Sequence, residues 1–146
     1  MKALLAVSAA AVVALLSVAP VTGTALADPG TGEVNAAGPP YVDHTAWERW
    51  GQLSSLRVFP TPSGRLASRQ PGTMGAADEA WAEVLAMAPD ADTPGMRSQF
   101  LCHWQFAEMA QPGKTSWNLE PWRPVVDDAE MVASGCNPGG PEESFS

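Results

Sequence analysis

Positive charge is scarce in this sequence. Eight Lys and Arg face sixteen Asp and Glu, for a formal net charge of -8. Nucleic-acid binding needs a basic footprint that displaces counterions from phosphates, so that class is excluded. Anionic membrane surfaces are disfavoured for the same reason. Histidine is nearly absent too. With His44 and His103 alone, a zinc site would have to recruit carboxylates, and no metal is expected. No G-x-S-x-G, H-E-x-x-H or phosphate-loop pattern occurs, and no cofactor is expected. The stretch from Asp90 to Gly95 opens like a calcium loop. It has Pro94 at the fifth place and Leu101 at the twelfth, where a bidentate Glu is required, so an EF-hand is excluded. One long apolar run occurs, at residues 3–18, and no second follows it.

That run follows a short basic start, Met1-Lys2, and is broken by Pro20 and Gly23. Ala25-Leu26-Ala27 then supplies the small-x-small pattern of a secretory signal peptide, residues 1–27, cleaved after Ala27. Without Lys2, seven basic residues face sixteen acidic ones in the mature chain. The expected mature protein is secreted, extracellular or held at the cell envelope, without a membrane span, and a monomer. Exported chains oxidise their cysteines by default, so Cys102 and Cys136 are expected to form a disulfide. The alternative is a free nucleophilic Cys102 beside His103. Adjacent helical positions point away from each other, however, which weakens any dyad.

Residues 28–44 are rich in Gly, Pro and small side chains and are expected to form a flexible lead-in. One globular domain then spans residues 45–138, and residues 139–146 form a disordered tail. Trp47 and Trp50 are three apart, a spacing that suits one face of a short helical turn. They serve either as core anchors or as an exposed ligand-stacking pair. Residues 56–61 are rich in β-formers, Pro62-Ser63-Gly64 signals a turn, and residues 65–68 supply a return strand. Arg57, Arg65 and Arg69 gather there, either as solvated or ion-paired charges or as a small anion patch.

Ala77, Ala80, Trp81, Val84 and Ala88 recur at helical spacing and predict a helix over residues 76–88, ended by Pro89. Thr93 and Pro94 predict the cap and first position of a second helix, residues 94–110. Met96, Phe100, His103 and Ala107 form one stripe on it, and Gln99, Cys102 and Phe106 the next. This should be the most buried helix, with His103 a hydrogen-bonded imidazole. After Pro112-Gly113, the segment T-S-W-N-L-E-P-W-R-P holds Glu120 and Arg123 extended before prolines. It should fold back on the helix as a strap, with Glu120 and Arg123 as a charge pair. The fold class is therefore α+β: a small single domain with an antiparallel hairpin packed on two main helices and one disulfide.

One pattern is a family marker. Met96, Gln99, Phe100, Cys102 and His103 on a helix precede Trp117-Asn118-Leu119-Glu120, Trp122-Arg123-Pro124 and Cys136-Asn137-Pro138. With R-V-F-P-T-P-S-G-R at residues 57–65, this resembles a family of small secreted actinobacterial proteins catalogued as a domain of unknown function. The resemblance implies an exported domain with a two-cysteine staple. It implies no activity, cofactor or catalytic residue.

Three functional readings follow from these residues. The first is a non-catalytic extracellular or cell-envelope binding module. Trp117 and Trp122 would line a groove for a cell-wall polymer, sugar or peptide, and Arg123 would fix its orientation. The alternative is a secreted hydrolase, with His103 oriented by Glu120, Arg123 as anion donor and Ser116 as nucleophile. The third makes His103, Glu120 and Arg123 a purely structural clasp.

Overall fold

The computed structural model describes residues 37–141. The expected signal peptide, the lead-in up to residue 36 and the tail from residue 142 lie outside the described residues. Three strands form one antiparallel sheet in the order β1-β2-β3: β1 (Val42–Trp50), β2 (Leu53–Pro60) and β3 (Trp117–Leu119). Four helices accompany them: α1 (Pro62–Ser68), α2 (Met74–Met87), α3 (Met96–Ala110) and α4 (Asp128–Ala133). A single 3-10 turn, Pro89–Ala91, links α2 to α3. The α+β class, the antiparallel hairpin and the disulfide are as expected from the sequence. Among the described residues no helix is long and apolar enough to cross a membrane.

The hairpin is displaced from its expected place. Residues 65–68 are helical, and the partner of β2 is the chain before it. The cause lies in Thr61-Pro62. The Thr61 hydroxyl accepts from the Gly64 amide at 2.9 Å, and Pro62 takes the first helical turn, where a missing N–H costs nothing. The same four residues that resemble a turn are a helix start. Gly64 is obligatory there: a Cβ would stand 2.2 Å from the Tyr41 carbonyl oxygen.

The true turn is Gly51-Gln52, with Gly51 at φ +59°, as a two-residue hairpin loop demands at its first position. Trp47 and Trp50 consequently lie on β1, not on a helical turn, and three-residue spacing puts them on opposite sheet faces. β1 also takes in residues 42–44 of the expected lead-in. Tyr41 is already buried, and the Tyr41 and Val42 amides donate to Glu83 of α2 at 2.8 and 2.7 Å.

One face of the sheet carries Leu56 and Val58, which register against Leu119 and Trp117. α2 and α3 cover it. Ala77, Ala80, Trp81 and Val84 of α2 are buried, as their spacing predicts. From α3 come Met96, Phe100, Trp104 and Ala107. Phe100, Trp104 and Trp117 meet with ring centroids 6.0 to 6.3 Å apart, the tilted geometries that aromatic quadrupoles favour. The start of α3 differs from the capping expectation. Its N-cap is Gly95 at φ +87°, and Thr93 and Pro94 belong to the preceding turn, closed by the Met96 amide on the Thr93 carbonyl at 3.2 Å.

After β3 the chain runs to α4, which Asp127 caps by accepting from the Glu130 amide at 2.8 Å. Cys136 then bonds to Cys102 of α3, closing a smaller apolar cluster with Met131, against which Phe106 and Val126 pack.

Candidate functional site

The expected polar cluster exists, and it is buried. Arg123 Nε donates to Glu120 Oε2 at 2.7 Å, with side-chain exposures of 0% and 1%. The other Glu120 oxygen accepts from the Ser55 hydroxyl at 2.8 Å. Gln99 of α3 brackets the Glu120 backbone, donating to its carbonyl at 3.0 Å and accepting from its amide at 2.9 Å. The rest of the Arg123 guanidinium donates to the carbonyls of Pro138, Gly140 and Pro141 at 3.1, 2.7 and 3.3 Å. These bonds tie the chain after β3 to β2, to α3 and to the C-terminal chain. The first three residues of the expected tail, up to Pro141, are thus held by Arg123.

His103 is buried, and its Nδ1 lies 2.8 Å from the Gln99 carbonyl. A carbonyl only accepts, so Nδ1 carries a proton. The cavity beside His103, about 340 Å³, is lined by Phe106, Ala110, Lys114, Val132, Cys136 and neighbours, and Glu120, Arg123 and Ser116 are not among them. The Ser116 hydroxyl donates to Asn118 Oδ1 at 2.7 Å. Of the residues considered for hydrolysis, only His103 lines this cavity. Both cysteines are consumed in the disulfide.

Two of the clustered arginines converge on one carboxylate. Arg65 and Arg69 of the α1 segment both bind Glu108 of α3, Arg69 at 2.7 Å. The Gly113 amide adds a third donor at 3.3 Å. Burial pushes the Glu108 carboxyl up, but the bonds from Arg69, Arg65 and Gly113 and the Arg65 charge outweigh it and hold it below its ordinary value. A carboxylate with a lowered folded pKa stabilises the fold above its unfolded pKa. That contribution is lost as the pH falls through the folded value. Glu108→Gln is therefore expected to lower stability by about 1–3 kcal/mol at pH 7 and to flatten the acid limb of a stability–pH profile. Denaturant midpoints between pH 7 and pH 3 measure both, and an unchanged acid limb would show that Glu108 is not the group responsible.

The tryptophans divide into two sets. Trp81, Trp104 and Trp117 are core residues. Trp47, Trp50 and Trp122 are 37%, 55% and 36% exposed and gather at the hairpin-turn end of the sheet. The Trp47 indole N–H donates to Asp90 Oδ1 at 3.1 Å, and that of Trp122 to the Ser54 carbonyl at 3.1 Å. The Arg123 guanidinium carbon sits 4.6 Å from the Trp122 ring centroid. Beside Trp47 opens a cleft of about 410 Å³ lined also by Arg49, Ser54, Asp90, Thr93 and Pro121.

Of the two rings expected to line a groove, Trp122 is 36% exposed and Trp117 packs at 1% exposure. Asp90, Arg49, Ser54 and Thr93 were missed. The usable signal was strand alternation, which puts Trp47 and Arg49 on one face of β1 opposite Ser54.

The sequence model described as "Protein of unknown function (DUF2599)" matches residues 42–139. Uncharacterized proteins of Mycobacterium tuberculosis and Mycobacterium bovis are each 68% identical over 149 residues, covering 99% of this chain and 100% of the relative. An uncharacterized protein of Mycobacterium leprae is 57% identical over 100 residues, covering 68% of this chain and 80% of its own length. No solved structure matches the chain.

Proposed function

We propose that this chain, which belongs to the DUF2599 family of proteins of unknown function, is a non-catalytic binding module that works outside the cytoplasm. Its ligand is a polymer with apolar ring faces and a hydroxyl rim, such as a cell-wall polysaccharide. The observation that carries this reading is a pair of exposed tryptophans, Trp47 and Trp122, each tethered by its indole N–H, to Asp90 and to the Ser54 carbonyl, with Asp90 and Ser54 both lining the cleft beside Trp47. Large aromatic rings left in water and rimmed by polar groups mark interaction surfaces. Tethering fixes the rings before the ligand arrives and so lowers the ordering cost of binding.

The cleft chemistry narrows the ligand. The C–H face of a pyranose stacks on an indole ring, and its hydroxyls need partners, which Asp90, Ser54 and Thr93 supply. The net charge of -8 favours neutral or cationic polymers over teichoic-acid-like polyanions. Action outside the cytoplasm is supported by the apolar leader pattern at residues 3–27 and by a disulfide in the fold. The buried Glu120–Arg123 pair supports binding over hydrolysis, because its charges are spent on structure.

Retention of the purified mature protein on insoluble wall and polysaccharide fractions tests this. Trp47→Ala combined with Trp122→Ala is expected to weaken retention at least 10-fold, roughly 1–3 kcal/mol for each stacking ring, with an unchanged circular dichroism spectrum. Equal retention of both proteins, or retention of neither on any fraction, would reject the wall-polymer reading.

A further inference from the structure

A second concave surface lies at the opposite end of the α2–α3 pair from the tryptophan cleft. It is a trough of about 540 Å³ between the loop joining α1 to α2 and the C-terminal half of α3. Trp104, almost wholly buried, closes its floor, and its indole N–H is satisfied by the Thr73 hydroxyl at 3.2 Å. Pro71, Met74, Phe106 and Met109 form the walls. Met109 is 67% exposed, and Met74 is also exposed. Flexible thioethers on both sides let such a trough mould itself to an alkyl chain.

One end of the trough carries a charge of unusual sign for this molecule. Arg69 lies in its lining, and no other charged residue does among the described residues. Its partner Glu108 is shared with Arg65, so two guanidiniums meet one carboxylate and a positive charge is left over. Arg69 is the more accessible of the two, with its side chain 52% exposed against 20% for Arg65. The chain as a whole carries -8. An apolar trough that ends in a single excess cation is complementary to one apolar chain ending in one anion.

We propose that this trough binds a monomeric single-chain fatty carboxylate, with the alkyl chain along Pro71, Phe106 and the two methionines and the carboxylate on Arg69. The volume falls within the range of small-ligand sites. The surplus acidic charge of the molecule disfavours adsorption to anionic membranes, which leaves the monomeric acid as the occupant. The site is separate from the tryptophan cleft and stands or falls independently of it.

Calorimetric titration of the mature protein compares decanoate, decanol and decyltrimethylammonium, each below its micelle concentration. Decanoate is expected to bind tightest and the ammonium weakest. Shortening decanoate to octanoate should cost up to about 16-fold, roughly fourfold for each methylene removed from the trough. Arg69→Gln should weaken decanoate about fivefold and leave decanol unchanged, as expected for a solvent-exposed ion pair. Met109→Asp, at an exposed position, should weaken decanoate and decanol at least 10-fold, and decanoate should shift the NMR signals of the Trp104 indole and the Met109 methyl. Equal affinity for the carboxylate and the ammonium would overturn the proposal. So would no binding of any ligand, or binding to phosphatidylglycerol vesicles without binding of monomeric decanoate. The ligand series on the unaltered protein decides the matter even if a variant fails to fold.

Discussion

Arg123→Ala is expected to be the most damaging single substitution in this domain, lowering stability by about 3–5 kcal/mol. Nothing apolar of any size is lost. The damage comes from what stays behind. Glu120 would remain as a carboxylate at 1% exposure with one oxygen unpaired, and the carbonyls of Pro138, Gly140 and Pro141 would lose their common donor. A buried charge without its partner costs far more than the pair ever contributed. For a domain of this size the loss corresponds to a fall in Tm of roughly 15–25 °C. Thermal melts followed by circular dichroism read it directly. The companion variant, Glu120→Leu with Arg123→Met, leaves no lone charge and should recover a large part of the loss, a non-additivity that a double-mutant cycle measures. An Arg123→Ala protein with an unchanged midpoint would mean that water reaches this pair and that it is no clasp.

The second large effect concerns the disulfide. Replacing Cys102 and Cys136 together by serine should cost roughly 3–4 kcal/mol, from the chain entropy restored to the unfolded state by opening a loop of this length; the sequence separation is 34. Its spatial pattern should differ from that of Arg123→Ala. α4 has six residues, too few to hold as a helix on its own. It is anchored through the small cluster of Cys102, Met131 and Cys136, which is separate from the main core. Amide exchange should therefore accelerate first in residues 128–136, while β1, β2 and α2 stay protected. Uniform acceleration across the sheet would show that the bridge supports the main core instead, and an unchanged denaturant midpoint would show that it stabilises nothing.

The two main helices were legible because their signal is local. Ala77, Ala80, Trp81 and Val84 carry a helical period within one stretch of chain, and burial on one face follows from it. The hairpin was displaced because its signal is shared. Thr61-Pro62-Ser63-Gly64 serves a turn or a helix start equally well, and the contact that selects the helix is with Tyr41, far back in the chain. Trp47 and Trp50 fit a helical face by spacing, and only pairing with residues 53–56 makes them strand residues. Glu120 and Arg123 were readable as a charge pair from their places before two prolines. Their burial was not, since it depends on Ser55, Gln99 and the carbonyls of residues 138–141 arriving from three other segments.

The sequence by itself thus determined the α+β class, the α2 and α3 core faces and the Cys102–Cys136 bridge. Each of these rests on residue chemistry or on periodicity within a short span. The tertiary structure alone decided which tryptophans pack and which face water, and that Glu120 and Arg123 pair in a buried position. It also decided that the Trp47 cleft and the Arg69 trough lie at opposite ends of the helix pair. Those outcomes depend on where distant segments meet, because a side chain is exposed or buried by its neighbours in space and not by its neighbours in the chain.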